Sequence, residues 1–437
     1  MIISKRKRYL SGLDWAINTL DYAMKSATCS GNMSQIVLLF DSRIDEEKLR
    51  ASLNQVVSQL PVLNGHVARD LKLAPYWNIP AAARKDVSLF VHTHDFLTAD
   101  ELLPLLTESA NSAFQDDTDH IAFHFFTNAS RSALAMIFDH RLLDARGAES
   151  FLFFLERSLK GQLPSGDGAF TSSCELTNWK RKFLAGKTIN RRVIALSKSL
   201  PRSLQIPENK KSRFLYRLLA FNEQETAIIY DRAYQEAGYL MESPFFLAVL
   251  TQSMHELMLH KSGDGSSYVI PVTIDLRQGT DSLAEIFFNH FSFLFYQVPV
   301  HAAENRKELI DLFKQQMYDQ IKTGFPRDLA EASLLTRIVP LGVLGRLFSA
   351  PFKGKIATFA FSHLGKSAYQ STGFLDSTIT DFFHMPRVPM PPGIGFFSNI
   401  YKGRLNLVIS YLEGMLTNTE MRMLETAIRK RFGVVSE

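Results

Sequence analysis

Cysteine is almost absent: the 437 residues hold two, Cys29 and Cys174. Two are too few for a disulfide framework and fit a reducing compartment. Long hydrophobic runs are missing as well. No stretch approaches the roughly 18 uninterrupted apolar residues of a membrane-spanning helix. The basic start, residues 1–8, is followed by Asp14 and Asp21 rather than by a signal-peptide core. The expectation is a cytoplasmic protein, and a monomer. Nor is there a large excess of one charge: 49 Lys and Arg against 44 Asp and Glu leave +5, and no recognition motif points to nucleic acid. The chain has no G-x-S-x-G elbow, and neither cysteine sits beside the histidine motif described below, so no acyl-enzyme is expected. His92, His94, His120 and His124 come without a CxxC or a third ligand at metal spacing, so no metal is expected.

What is present is length enough for two domains of roughly 200 residues each and 34 phenylalanines. These fit either dense core packing or an apolar tunnel. The most informative stretch is His140-Arg141-Leu142-Leu143-Asp144-Ala145-Arg146-Gly147. It follows an apolar run at 134–138 that reads as a buried strand. It precedes a helix at 148–159 with Phe151, Leu152, Phe154, Leu155 and Leu159 at helical spacing. A neutral imidazole at a strand end is suited to take a proton near working pH. Gly147 is read as letting the motif loop turn before the helix begins.

In that context HxxxDxxG resembles the active-site motif of the chloramphenicol acetyltransferase-like acyltransferases. These include condensation domains, plant BAHD acyltransferases, wax ester synthases and polyketide-associated acyltransferases. Other segments resemble the same superfamily. Pro61-Val62-Leu63-Asn64-Gly65 is similar to its P-x-L-x-G turn. Pro271-Val272 through Leu276-Arg277, followed by Asn289, resembles its P-V-x-x-R … G-N segment, with Phe288 where glycine is usual. Phe359-Ala360-Phe361-Ser362-His363-Leu364-Gly365 resembles its F-x-x-S-N-L-G strand. Asp381-Phe382-Phe383-His384 is the nearest match to the BAHD DFGWG motif, and Asp139 stands where a doubled histidine is common.

The resemblance implies an α/β fold: two tandem chloramphenicol acetyltransferase-like α/β sandwich domains, with the active site in a tunnel at their junction. The expected division is an N-terminal domain over 1–177, a basic crossover linker over 178–217 and a C-terminal domain over 218–437. The second half repeats the first: residues 134–140 parallel 405–411, which sets His140 opposite Tyr411 and Asp144 opposite Met415. The resemblance further implies that His140 is the general base and that Asp144 is a structural acid paired with Arg277. Ser362 is either an oxyanion donor or a structural serine at a strand end.

The implied reaction moves an acyl group from a coenzyme A thioester to a hydroxyl or amine acceptor. An acyl carrier protein donor, as in condensation enzymes, and a decayed binding protein are the alternatives. No tightly bound cofactor is implied, since coenzyme A or phosphopantetheine arrives with the donor. Residues 178–217 carry twelve Lys and Arg, Lys210 among them, against Glu208 alone. That stretch is either a solvated crossover or a positive surface for coenzyme A phosphates, a carrier protein or an anionic membrane. Residues 338–352 read as a buried irregular helix or floor loop, or as a contact for membrane or acyl chain. Residues 386–395 read as a surface loop near the tunnel mouth.

Overall fold

The computed structural model describes residues 6–83, 86–114, 116–161, 177–208, 211–261, 265–277 and 283–434; Cys174 and Lys210 lie outside them. The N-terminal half supplies β1 (Lys7–Tyr9), β2 (Met33–Phe40), β3 (His66–Arg69), β4 (Pro75–Asn78), β5 (Ser88–Thr93), β6 (Ile121–Thr127) and β7 (Ser132–Asp139). The C-terminal half supplies β8 (Phe214–Ala220), β9 (Ser267–Asp275), β10 (Phe291–Pro299), β11 (Ala360–Lys366), β12 (Gly373–Phe374), β13 (Ser377–Pro386), β14 (Ile394–Tyr401) and β15 (Arg404–Leu412). These form two six-stranded mixed sheets, in the orders β12-β13-β2-β7-β6-β5 and β10-β9-β11-β14-β15-β8, and a small sheet β1-β4-β3.

The central strands are apolar throughout because both of their faces are covered. On β2, Ile36, Leu38 and Phe40 pack into one core with the helices Glu46–Val57 and Ala145–Leu159. Val37, on the opposite face, joins a second core that runs through Leu106 and Phe126 to Phe214, Phe246 and Phe396. The two halves therefore share a core.

The repeat is visible in the topology. β2-β7-β6-β5 and β8-β15-β14-β11 have the same neighbours, two antiparallel pairings and then a parallel one. Strand ends align Met33 with Phe214, Ile121 with Ile394 and Asp139 with Leu412. This register sets His140 opposite Glu413 and Asp144 opposite Thr417, correcting the pairing with Tyr411 and Met415. A two-residue slip keeps every strand side chain on its own face, so the apolar pattern could not detect it.

The domain boundaries need correction too. β12 and β13 come from the C-terminal half but extend the N-terminal sheet, β13 pairing with β2 from Phe40↔Ile379 to Ser34↔Pro386. Residues 178–217 are not a bare linker, since they hold a helix (Trp179–Ser197) and the start of β8. That helix buries Lys182, Ala185 and Leu196. Lys182 Nζ reaches Thr177 O at 2.7 Å and Glu331 at 3.1 Å. Its stem packs while its charge is paired, which a count of basic residues reads as solvated.

Residues 338–352 contain a helix (Leu341–Ser349) that buries Leu344 and leaves Val343, Leu347 and Phe348 exposed, so this is not a buried floor. The stretch after β13 is largely buried, with Arg387 and Val388 inside, and is not a surface loop. No helix among the described residues is long and apolar enough to cross a membrane.

Because β13 stitches the second half into the first sheet, the halves are expected to unfold together. Calorimetry should show one cooperative transition. Phe383→Ala, which empties a fully buried position on β13, should cost about 3–5 kcal/mol and lower that single transition. Two separated transitions in either protein would contradict the coupling.

Candidate active site

β7 ends at Asp139, and the turn after it is held from both sides. Asp139 Oδ1 accepts from Arg141 N at 2.8 Å, Oδ2 accepts from Arg141 Nη2 at 2.6 Å, and Oδ2 lies 2.9 Å from His120 Nδ1. Burial opposes the charge on Asp139, but Arg141 and His120 outweigh it and hold the carboxyl well below the usual carboxylate range. His140 then leaves the strand with its N–H donated to Asn32 O.

Asp144 is the N-cap of the motif helix (Ala145–Leu159). Its Oδ1 accepts from Gly147 N at 2.7 Å and from Arg277 Nη2 at 2.6 Å, and its Oδ2 accepts from His290 N at 2.8 Å. Arg277 is fixed in turn by Asp275 Oδ1 at 3.0 Å and Glu285 O at 3.1 Å. Gly147 lies inside the helix rather than in the loop before it, which corrects its expected role as a turn residue. A Cβ there would fall 2.2 Å from Ile286 O. Close approach of the 283–286 helix (Leu283–Ile286), not backbone freedom, is what requires glycine.

Residues 288–290 bond to the motif one after another. Phe288 N donates to Leu142 O, Asn289 meets His140, and His290 N meets Asp144. Phe288 has φ +72, the left-handed conformation that a glycine would adopt without strain. Trp77 sits edge-on to its ring at 5.9 Å and Arg8 lies over it at 4.5 Å. The packing of the small sheet thus holds a strained phenylalanine.

Asn289 decides the state of His140. Its Nδ2 has two acceptors, His140 O at 3.1 Å and Asp14 Oδ1 at 3.3 Å, so the amide oxygen faces the ring and stands 3.2 Å from His140 Nδ1. Nδ1 must carry the proton, which leaves the Nε2 lone pair to act as a base. Asp14 also accepts from Asn289 N at 3.1 Å, while its other oxygen takes Ser11 N at 2.9 Å in the capping box of the helix Gly12–Ala27. Sequence reasoning quoted Asp14 and Asn289 but gave neither this part. The available signal was the capping box, Ser11-x-x-Asp14.

His140 lines a cavity of about 410 Å³ between the halves. Arg146 and Asp144 join it from the first half, and Thr273, Phe291, Ser362 and Ser398 from the second. Ser362 lies within β11, which begins later than the expected strand at 356–361, and its Oγ is 2.9 Å from Thr273 Oγ1. His140, Asp144, Arg277 and Ser362 are therefore brought together around one cavity. His363 is locked away between Ser398 Oγ at 2.8 Å and Tyr230 OH at 3.2 Å, and burial pushes it down to about 4. His92 and His124 stack at a distance, with Nε2 and Nδ1 3.0 Å apart. Among the described residues no cluster of three or more His, Cys, Asp or Glu is placed to hold a metal ion.

No protein-family model matches the sequence, and no curated protein matches it. Solved structures do. The trichothecene 15-O-acetyltransferase TRI3 from Fusarium sporotrichioides superposes with a TM-score of 0.69 at 12% identity, over 98% of this chain and 94% of that one. The first condensation domain of the CDA synthetase gives 0.65 at 11% identity, over 99% and 98%. Polyketide synthase associated protein 5 from Mycobacterium tuberculosis gives 0.61 at 10% identity, over 98% of both chains. The chain has the chloramphenicol acetyltransferase-like fold. Within that fold the cavity at the junction of the two sheets is where His140 and Ser362 meet.

Two outcomes are expected from the geometry. Asp144→Ala and Arg277→Ala should each destabilise the protein by roughly 3–5 kcal/mol, the cost of stranding one buried charge. The double variant should be less than additive, and additive denaturation midpoints would show that the pair is not coupled. Gly147→Ala should cost about 1–3 kcal/mol by pushing the 283–286 helix off the motif helix; unchanged thermal stability would contradict the close contact.

Proposed function

We propose that the chain transfers an acyl group from a thioester to a hydroxyl or amine, with His140 as general base. The observation that carries this reading is a histidine at the wall of the junction cavity whose Nδ1 is held by Asn289, so that Nε2 is free. Nε2 takes the acceptor's proton as its oxygen or nitrogen attacks the thioester carbonyl. The carbonyl oxygen becomes an oxyanion, for which the hydroxyl of Ser362 or its partner Thr273 is a donor. As the intermediate collapses the C–S bond breaks, and the proton on His140 passes to the sulfur, releasing a free thiol. Atoms balance without an acyl-enzyme, and Cys29 lines a separate cleft with Asp139 and Arg141.

Asp144 does not touch His140, so it shapes the loop rather than relaying charge. Coenzyme A is the proposed donor and an apolar alcohol or amine the proposed acceptor, since Phe291, Leu294, Phe397 and Met317 make much of the wall. An acyl carrier protein donor is a second reading, supported by the likeness in fold to condensation domains.

The test is thiol release from acyl-coenzyme A and from an acyl carrier protein bearing the same group, over a panel of alcohols and amines. His140→Ala should lower turnover by about 10²–10⁴-fold while the protein stays folded. Asn289→Ala should lower it by about tenfold or more through loss of the ring's orientation. Near wild-type turnover in His140→Ala would remove His140 from the mechanism.

A further inference from the structure

A second histidine shares the wall of the same cavity. His384 lies on β13, is 4% exposed, and lines the cavity with Ser34, Pro386 and Ser398. Its Nε2 stands 2.9 Å from Oε1 of Glu149, a carboxylate on the motif helix with no exposed surface. The other oxygen of Glu149 accepts from Ala368 N at 2.6 Å and Arg146 Nη1 at 2.8 Å. Burial works against the charge on Glu149, but the bond from His384, Arg146 and the Ala368 N–H prevail and hold its carboxyl below the usual range. An ionised carboxylate only accepts, so Nε2 of His384 carries a proton.

Nδ1 of His384 is buried and has no hydrogen-bond partner. That sets it apart from the purely structural histidines of this chain. His120 uses Nδ1 on Asp139 and Nε2 on Gly65 O, and His363 uses Nδ1 on Ser398 and Nε2 on Tyr230. A buried polar atom without a partner is costly unless something else satisfies it. The expense of a fully buried, carboxylate-oriented imidazole at a cavity wall is explained if a ligand supplies the missing bond.

We propose that His384, oriented by Glu149, is a substrate-contacting residue whose Nδ1 accepts a hydrogen bond from an O–H or N–H group of a molecule bound in the junction cavity. Glu149 is its positioning residue. This deepens the acyl-transfer reading and rests on it only for which substrate brings the group. The pantetheine arm of a donor offers amide N–H groups and a hydroxyl; an acceptor would offer a second hydroxyl or amine beside the reacting one.

Nitrogen-detected NMR of the ring in the full chain, titrated separately with pantetheine and with hexane-1,2-diol, distinguishes the two sources. The expected result is an Nε2–H tautomer whose Nδ1 resonance moves with one of the two probes. A response to pantetheine assigns the group to the donor, and a response to the diol assigns it to the acceptor. His384→Phe, which keeps a ring against Phe382, should weaken that probe by about fivefold or more, the worth of one hydrogen bond. Glu149→Gln should raise the Nδ1–H fraction, a change that a packing role alone would not produce. An Nδ1 resonance that moves with neither probe overturns the proposal, and this reading needs no mutant to fold. If the wild-type protein releases no thiol from any donor, the acyl-transfer reading fails while the titrations still decide this one.

Discussion

The structure turns on one buried carboxylate. Asp144 accepts from the N–H of Gly147, from Arg277 and from the N–H of His290. The first bond starts the motif helix, the second ties that helix to the end of β9, and the third fixes the 288–290 strip beside it. Each belongs to a different part of the chain, so one side chain places the loop that carries His140 against the second half. Such a pair need not add net stability, because desolvating both charges offsets most of their attraction. Its effect is specificity: with an apolar residue in place of Asp144, nothing would hold Phe288 in its left-handed conformation or fix where Asn289 points.

That placement is what makes His140 a base. In a serine-protease arrangement an acid orients the histidine directly. Here the acid of the motif stands off, and a neutral amide does the orienting. Asn289 is itself oriented by Asp14, which belongs to the capping box of the helix Gly12–Ala27. A neutral partner fixes the tautomer without placing a full negative charge against the ring. The imidazolium formed during proton transfer is therefore less stabilised than beside a carboxylate, which favours passing the proton on to the leaving thiol.

Much of the fold was legible, and for identifiable reasons. Strands buried on both faces read as apolar runs, and the helices Glu223–Ala237 and Asn418–Phe432 showed their amphipathic periods. His140, Asp144, Arg277 and Ser362 were found through short motifs that keep their spacing. The contributions of Asp14 and Asn289 to the site were not legible, because they act through a contact separated by 275 residues. Gly147 was misread because a sequence does not show a carbonyl 2.2 Å from where a Cβ would sit. The exchange of β13 into the first sheet was equally hidden: nothing local distinguishes a strand that pairs with β2 from one that pairs with β14.

The repeat separates what the fold needs from what the chemistry needs. At the position of Asp144 the second copy has Thr417, and both residues cap the helix that follows: Thr417 Oγ1 accepts from Glu420 N at 3.2 Å as Asp144 accepts from Gly147 N. Capping is thus common to both halves and asks only for a side-chain oxygen. The charge on Asp144 is extra, and only the first copy uses it, to hold Arg277 across the junction. At the position of His140 the second copy has Glu413, which is exposed and lies away from the cavity wall. A hydroxyl cap suffices for a helix packed on its own sheet. A charged cap is needed where the helix must also be anchored to the other half, and that is the copy in which the loop carries a base.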